Sequence, residues 1–146
     1  MFNDRRLRPV RLTQSVRVAC ALIALAALTG CNDSIGISTG GTFVVSVAGE
    51  QFRVRIDNAL LATRARRIAV GAENQKVVSG DLARGDGGFN TGYGWHIIPS
   101  TVALIDQAVA ECNGTPSDVE SDIDHWVDDI KRFCPAGSRI LGEILR

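Results

Sequence analysis

Histidine is scarce. His96 and His125 are the two in 146 residues, and no serine or cysteine has an evident partner base, so there is little material for a nucleophile with its base and orienting group. An excess of charge is missing too. The chain carries 16 basic and 16 acidic residues, and neither half has the basic surplus expected of a nucleic-acid binder. Long apolar runs are lacking as well: Val18 to Leu28 spans eleven residues, short of the roughly 20 that a helix needs to cross a bilayer. Cysteine is limited to Cys20, Cys31, Cys112 and Cys134, with no CxxC spacing among them.

What is present first is an ordered N-terminus. Residues 5 to 17 hold Arg5, Arg6, Arg8, Arg11 and Arg17 against no acid, the eleven apolar residues follow, and Leu28-Thr29-Gly30-Cys31 closes the segment. That is the layout of a signal peptide, and its last four residues resemble a bacterial lipobox. In proteins with that motif a diacylglyceryl group is attached to the cysteine thiol and the preceding peptide bond is cut. The expectation is therefore a lipoprotein signal peptide over 1–30, removed together with Cys20, and a membrane anchor through lipid on Cys31. The Arg5-Arg6 pair lies too far from the apolar run for twin-arginine export. Asn32 after the cysteine, rather than aspartate, favours the outer of two envelope membranes, and Asp33 weakens that preference.

Without residues 1–30 the five arginines and Asp4 are lost, leaving 11 basic and 15 acidic groups over 116 residues. The mature chain is mildly acidic, and unevenly so: 31–84 carries seven basic and five acidic residues, 85–146 four and ten. This length fits one domain with a modest core, and such a core often needs a covalent staple. With Cys20 discarded and Cys31 acylated, Cys112 and Cys134 are the remaining thiols, in an oxidising compartment. A disulfide between them closes 22 residues and should contribute roughly 3 kcal/mol. A metal site is the competing use, but neither cysteine has a histidine within four residues or a CxxC partner.

Residues 31–41 are small, polar and glycine-rich after the cysteine and read as a flexible tether; a single α+β domain fills 42–146. Phe43–Val47 and Gln51–Ile56 are predicted as a hairpin around Ala48-Gly49-Glu50. Asp57 is placed as the cap of a helix starting at Asn58, with Leu61, Ala65 and Ile68 on one face and an end near Gly71. Val77 to Leu82 reads as a strand, Gly85 to Gly94 as a mobile loop with five glycines in ten residues, and Tyr93 to Ile98 as extended chain. A strand through Thr101–Ile105 runs on toward Cys112. Ser117 with Glu120 is placed as a capping box for a helix whose Val119, Ile123, Trp126, Val127 and Ile130 face the core, with acids early and Lys131 and Arg132 at its end, as the macrodipole favours. Arg139 to Leu145 finishes a mostly antiparallel sheet with two helices packed on one face and one disulfide.

Gly88-Phe89-Asn90, Trp95-His96, Glu111-Cys112-Asn113-Gly114 with Pro116-Ser117, His125-Trp126-Val127 and Phe133-Cys134-Pro135 resemble a family of small secreted domains. Its namesake is the N-terminal domain of a cAMP-inducible slime-mould protein associated with adhesion, and the resemblance covers about residues 42–145. It implies no reaction, and it implies that Cys112 and Cys134 are bonded. Some relatives carry a calmodulin-like label, which the residues here do not support: the run from Asp86 has glycines or aromatics where an EF-hand loop needs oxygen ligands. Tyr93-Gly94-Trp95 and the extra length between Phe43 and Val77 depart from the family pattern and leave the strand register there open.

Several residues are candidates for chemistry. His96 with Glu111 would be half of an acid–base or metal site if neighbouring strands brought them together. His125 sits one helical turn from Asp122 and Asp129. Arg84-Gly85-Asp86 resembles the integrin-recognition tripeptide in a glycine-rich loop. Asp118, Asp122, Asp124, Asp128 and Asp129 line an acidic helix face for weak Ca²⁺ binding, although helical side chains diverge and Ca²⁺ wants six to eight converging oxygens. Arg53 and Arg55 on a strand, with Arg64 and Arg67 on a helix, form a basic patch for anionic lipid headgroups. No cofactor or metal is implied. The sequence favours a non-enzymatic lipoprotein module of the cell envelope that binds a ligand or mediates adhesion. The alternatives are a small hydrolase or metal-dependent enzyme using His96 and Glu111, and an accessory protein whose partner is another envelope protein.

Overall fold

Strict alternation builds the first unit: Phe43, Val45 and Val47 on one strand and Phe52, Val54 and Ile56 on the next are buried, while the residues between them are not. In the computed structural model, which describes residues 40–145, these strands are β1 (Gly41–Val47) and β2 (Glu50–Ile56). They pair antiparallel from Gly41↔Ile56 to Val47↔Glu50. The two-residue turn between them has Ala48 at φ 49° and Gly49 at φ 88°; both are positive, as a turn matched to the twist of the strands requires. The signal-peptide segment 1–30, Cys20, Cys31 and positions 31–39 of the expected tether lie outside the described residues.

Helix α1 (Ala59–Ala69) follows, with Ala62, Ala65 and Ile68 buried. Its cap is Asn58, whose Oδ1 accepts from Leu61 N at 3.0 Å, and not Asp57 as expected. Asp57 instead pairs with Arg55. The long strand β3 (Val77–Arg84) is shared among three partners: β4 (Trp95–Ile97) along its end, β5 (Ala103–Ile105) along its start, and β6 (Arg132–Phe133) at its middle. A 3₁₀ turn at Pro99–Thr101 separates β4 from β5. The strand expected to run toward Cys112 stops at Ile105, and a second 3₁₀ turn covers Ala110–Cys112.

Helix α2 (Pro116–Ser121) is capped by Thr115, with Asp118 completing the box, in place of the predicted Ser117 and Glu120. It is not continuous to residue 130. The backbone breaks at Asp122, and a π-helical stretch from His125 to Ile130 ends at Lys131, which takes φ 66° and donates its N–H back to Trp126 O at 2.7 Å. This wider turn seats Trp126 in the core, and a Cβ on Gly114 would come within 2.8 Å of its ring. β7 (Arg139–Glu143) returns to pair with β1, with an irregularity between Val44 and Val45.

The result is α+β, antiparallel throughout its strand pairs, with one disulfide, Cys112–Cys134, at a Cα–Cα distance of 5.2 Å. The strands divide into two sheets, β2-β1-β7 and a second one built around β3. A shared core of Phe43, Val54, Ile68, Trp95, Phe133 and their neighbours fills the space between the elements, and Val77 joins the cysteine pair in a smaller cluster.

Candidate functional site

β4 places His96 opposite Ala83 of β3. Its Nδ1–H donates to the Gly85 carbonyl at 2.7 Å, and its ring meets Phe89 edge-on with centroids 5.6 Å apart. Gly87, at φ 62°, presses against the same ring, and a Cβ there would lie 2.8 Å from it. Glu111 is exposed in the 3₁₀ turn beside Cys112. No hydrogen bond or ion pair joins it to His96 among the described residues. The structure therefore gives His96 a role in closing the 85–94 loop and gives Glu111 no base to work with. Among the described residues there is also no group of three or more His, Cys, Asp or Glu side chains placed to hold a metal.

The 85–94 loop, expected to be mobile, is organised from within. Gly85 N–H donates to Gly94 O at 2.7 Å, Asn90 N–H to Asp86 O at 2.9 Å, and Gly88 N–H to Asp86 Oδ1 at 2.9 Å. Fully buried Asn90 accepts from Arg53 N at 2.7 Å and donates to Trp95 O at 2.9 Å, so one side chain joins the loop to β2 and β4. Trp95 stacks among Phe52, Tyr93 and Phe133, at centroid distances of 5.7, 5.4 and 5.4 Å, and Trp126 meets Phe133 edge-on at 5.8 Å. The aromatic, asparagine and cysteine positions that carry the family resemblance thus make a core and its covalent staple.

The charged candidates are largely spent on one another. The Arg84 guanidinium bridges Asp124 and Asp128, with Nη2 at 2.7 Å from an oxygen of each, and holds the Asp128 carboxyl below the usual aspartate range. With Asp86 closing its own turn, the Arg84-Gly85-Asp86 tripeptide is tied down at both charged ends. Asp118 is held low by the Thr115 backbone N–H of the capping box, and His125 Nδ1 lies 2.9 Å from Asp129 Oδ2. The acidic side of this region therefore spends its carboxylates on caps and ion pairs instead of converging them on a cation. Arg53 bonds Thr91, and Arg64 and Arg67 share Glu73.

Two features were not legible beforehand. Arg66 makes a two-pronged pair with Glu143, Nε to Oε2 and Nη2 to Oε1 both at 2.6 Å, and also donates to Gly40 O at 2.9 Å. This clip joins α1 to β7 and to the start of β1. The second is an open groove of about 500 Å³ between α1 and β5, lined by Leu60, Leu61, Pro99, Val102 and Leu104 with Asn58, Arg64, Ser100 and Ala103. Its walls come from segments some forty residues apart, so no local signal marks it. Arg64 is its one titratable side chain, and such a surface can bind but has nothing to exchange a proton near neutrality.

The family model for the N-terminal domain of the slime-mould adhesion-associated protein, the family that the residue pattern resembles, matches residues 40–146. No curated protein matches the chain, and no solved structure does.

Proposed function

The chain belongs to the family named for that N-terminal domain, and on that premise we propose that it is a lipid-anchored binding module of the cell envelope, engaging a ligand or another envelope protein without catalysing a reaction. The observation that carries this reading is the apolar groove between α1 and β5, concave, open and free of acid–base groups apart from Arg64. The anchor rests on the sequence alone: arginines, apolar run and Leu28-Thr29-Gly30-Cys31 in that order, which would leave Cys31 as the acylated N-terminus facing the periplasm or exterior.

Both halves have direct tests. Cells fed a fatty-acid analogue should label the protein, and Cys31→Ala should abolish the label and shift the chain out of the membrane fraction; label that survives the substitution sinks the anchor. For the groove, a photo-cross-linking residue at Ser100 should capture a defined adduct in intact cells. The same probe at Gly137, in the turn before β7, should not. Equal capture at the two positions, or none at either, counts against a groove-borne partner.

A further inference from the structure

The outer side of α1 is unusual for a helix packed on a sheet. Its inner face is apolar, yet Leu60 is 84 % and Val70 80 % exposed, with Arg64 and Arg67 between them at helical spacings of four, three and three. Those steps put all four on one side of the helix, and the two apolar ends stand about 15 Å apart along its axis. The helix contains no acidic residue. Its one nearby counter-charge, Glu73, takes Arg64 Nε at 3.0 Å and Arg67 Nε at 2.9 Å, leaving a net positive charge of one. Among the described residues the terminal Nη nitrogens of both arginines have no partner, so each guanidinium is braced from behind with its fork turned outward. Such a fork matches phosphate oxygens.

The chain also enters the fold beside this helix. Gly40 packs against the Ile56 carbonyl and Asp57 Cα, leaving no room for a Cβ, and Asn58 caps α1 directly after. Cys31 precedes Gly40 by nine residues, a reach of at most about 30 Å.

We propose that the outer face of α1 is a second membrane contact: Arg64 and Arg67 take headgroup phosphates of an anionic bilayer while Leu60 and Val70 enter the acyl boundary. Exposed apolar side chains flanking arginines are what an interfacial helix face presents, and the placement of Gly40 keeps that face within range of the anchor. The proposal deepens the reading above and sets the neighbouring groove at the bilayer surface, open to a lipid-embedded or envelope partner.

The test uses the full chain with Cys20→Ser and Cys31→Ser, so that no acylation is involved, and an environment-sensitive NBD fluorophore on Thr63→Cys, an exposed position of the same face. A matched protein carries the fluorophore on Ser121→Cys in α2, as control for attachment through any other segment. With vesicles of phosphatidylcholine and phosphatidylglycerol, the probe at 63 should shift to the blue and the probe at 121 should not. Pure phosphatidylcholine or high salt should remove most of the shift. Arg64→Glu with Arg67→Glu should weaken the response at least about tenfold, and Leu60→Ser with Val70→Ser, which keeps the Glu73 pairs, should reduce it independently. Equal response at the two positions, no response at 63, or a response indifferent to vesicle charge and to the arginines overturns the proposal. Failed fatty-acid labelling at Cys31 would remove the anchor and leave this contact standing.

Discussion

Asn90 has no exposure to solvent, and its amide serves two backbone groups that no strand partner reaches, Arg53 N–H and Trp95 C=O. Alanine there would orphan a buried donor and acceptor together. Each unsatisfied group costs about 1–3 kcal/mol, so Asn90→Ala should destabilise by about 2–4 kcal/mol in urea unfolding; a loss under about 1 kcal/mol would mean that water replaces the amide. The asparagine was visible in the sequence as part of Gly88-Phe89-Asn90. Its task was not, because the Arg53 amide lies 37 residues away. His96 teaches the same lesson in reverse: the residue type invited a catalytic reading, and the Gly85 carbonyl it bonds is an acceptor that any residue would supply.

At the scale of elements, the joints between them are polar and long-range. Ser117, predicted as a cap, donates its backbone N–H and hydroxyl to Glu50 at 2.9 and 2.8 Å, tying α2 to the first hairpin. Ile140 N–H of β7 is taken by Gln75 and Val78 N–H of β3 by Ser138, so side-chain oxygens occupy edge positions that would otherwise invite pairing with another chain. The Arg66–Glu143 clip is the strongest of these joints, half-buried, and its hydrogen bonds hold the Glu143 carboxyl below its ordinary value near 4.5 against the opposing effect of burial. A folded-state value below the unfolded one means stability that is complete above about pH 4.5 and is lost as pH falls through the lower folded value. Glu143→Gln should therefore cost about 1–2 kcal/mol near pH 7, and the gap from the parent should close near pH 3. A gap that stays constant across that range would show that packing, not charge, is what the glutamate contributes. Gly41 belongs to the same joint, since a Cβ there would collide with the Glu143 carboxylate.

For the whole molecule, the disulfide links the 3₁₀ turn before α2 to the end of β6, and β6 is a two-residue strand held to the middle of β3. Replacing both cysteines by alanine should lower stability by about 3 kcal/mol for the 22-residue loop. It should also loosen first the segment 108–136, read by amide exchange; uniform loosening across β1 and β2 as well would mean that the staple supports the entire core.

The alternating apolar pattern settled β1, β2 and the inner face of α1 from the chain alone, because side-chain direction there follows a period of two or 3.6 whatever the partner. Cysteine arithmetic settled the cross-link for a similar reason: once two thiols are set aside, pairing is a matter of counting. The caps fell one or two residues from where they were placed, since Asn58 and Thr115 compete with neighbours of equal capping power and only backbone angles choose between them. The break at Asp122, the two-sheet arrangement, the Arg66–Glu143 clip and the groove between α1 and β5 arose only in the folded chain. Each depends on groups far apart in sequence being brought within a few ångströms, and no local preference encodes that distance.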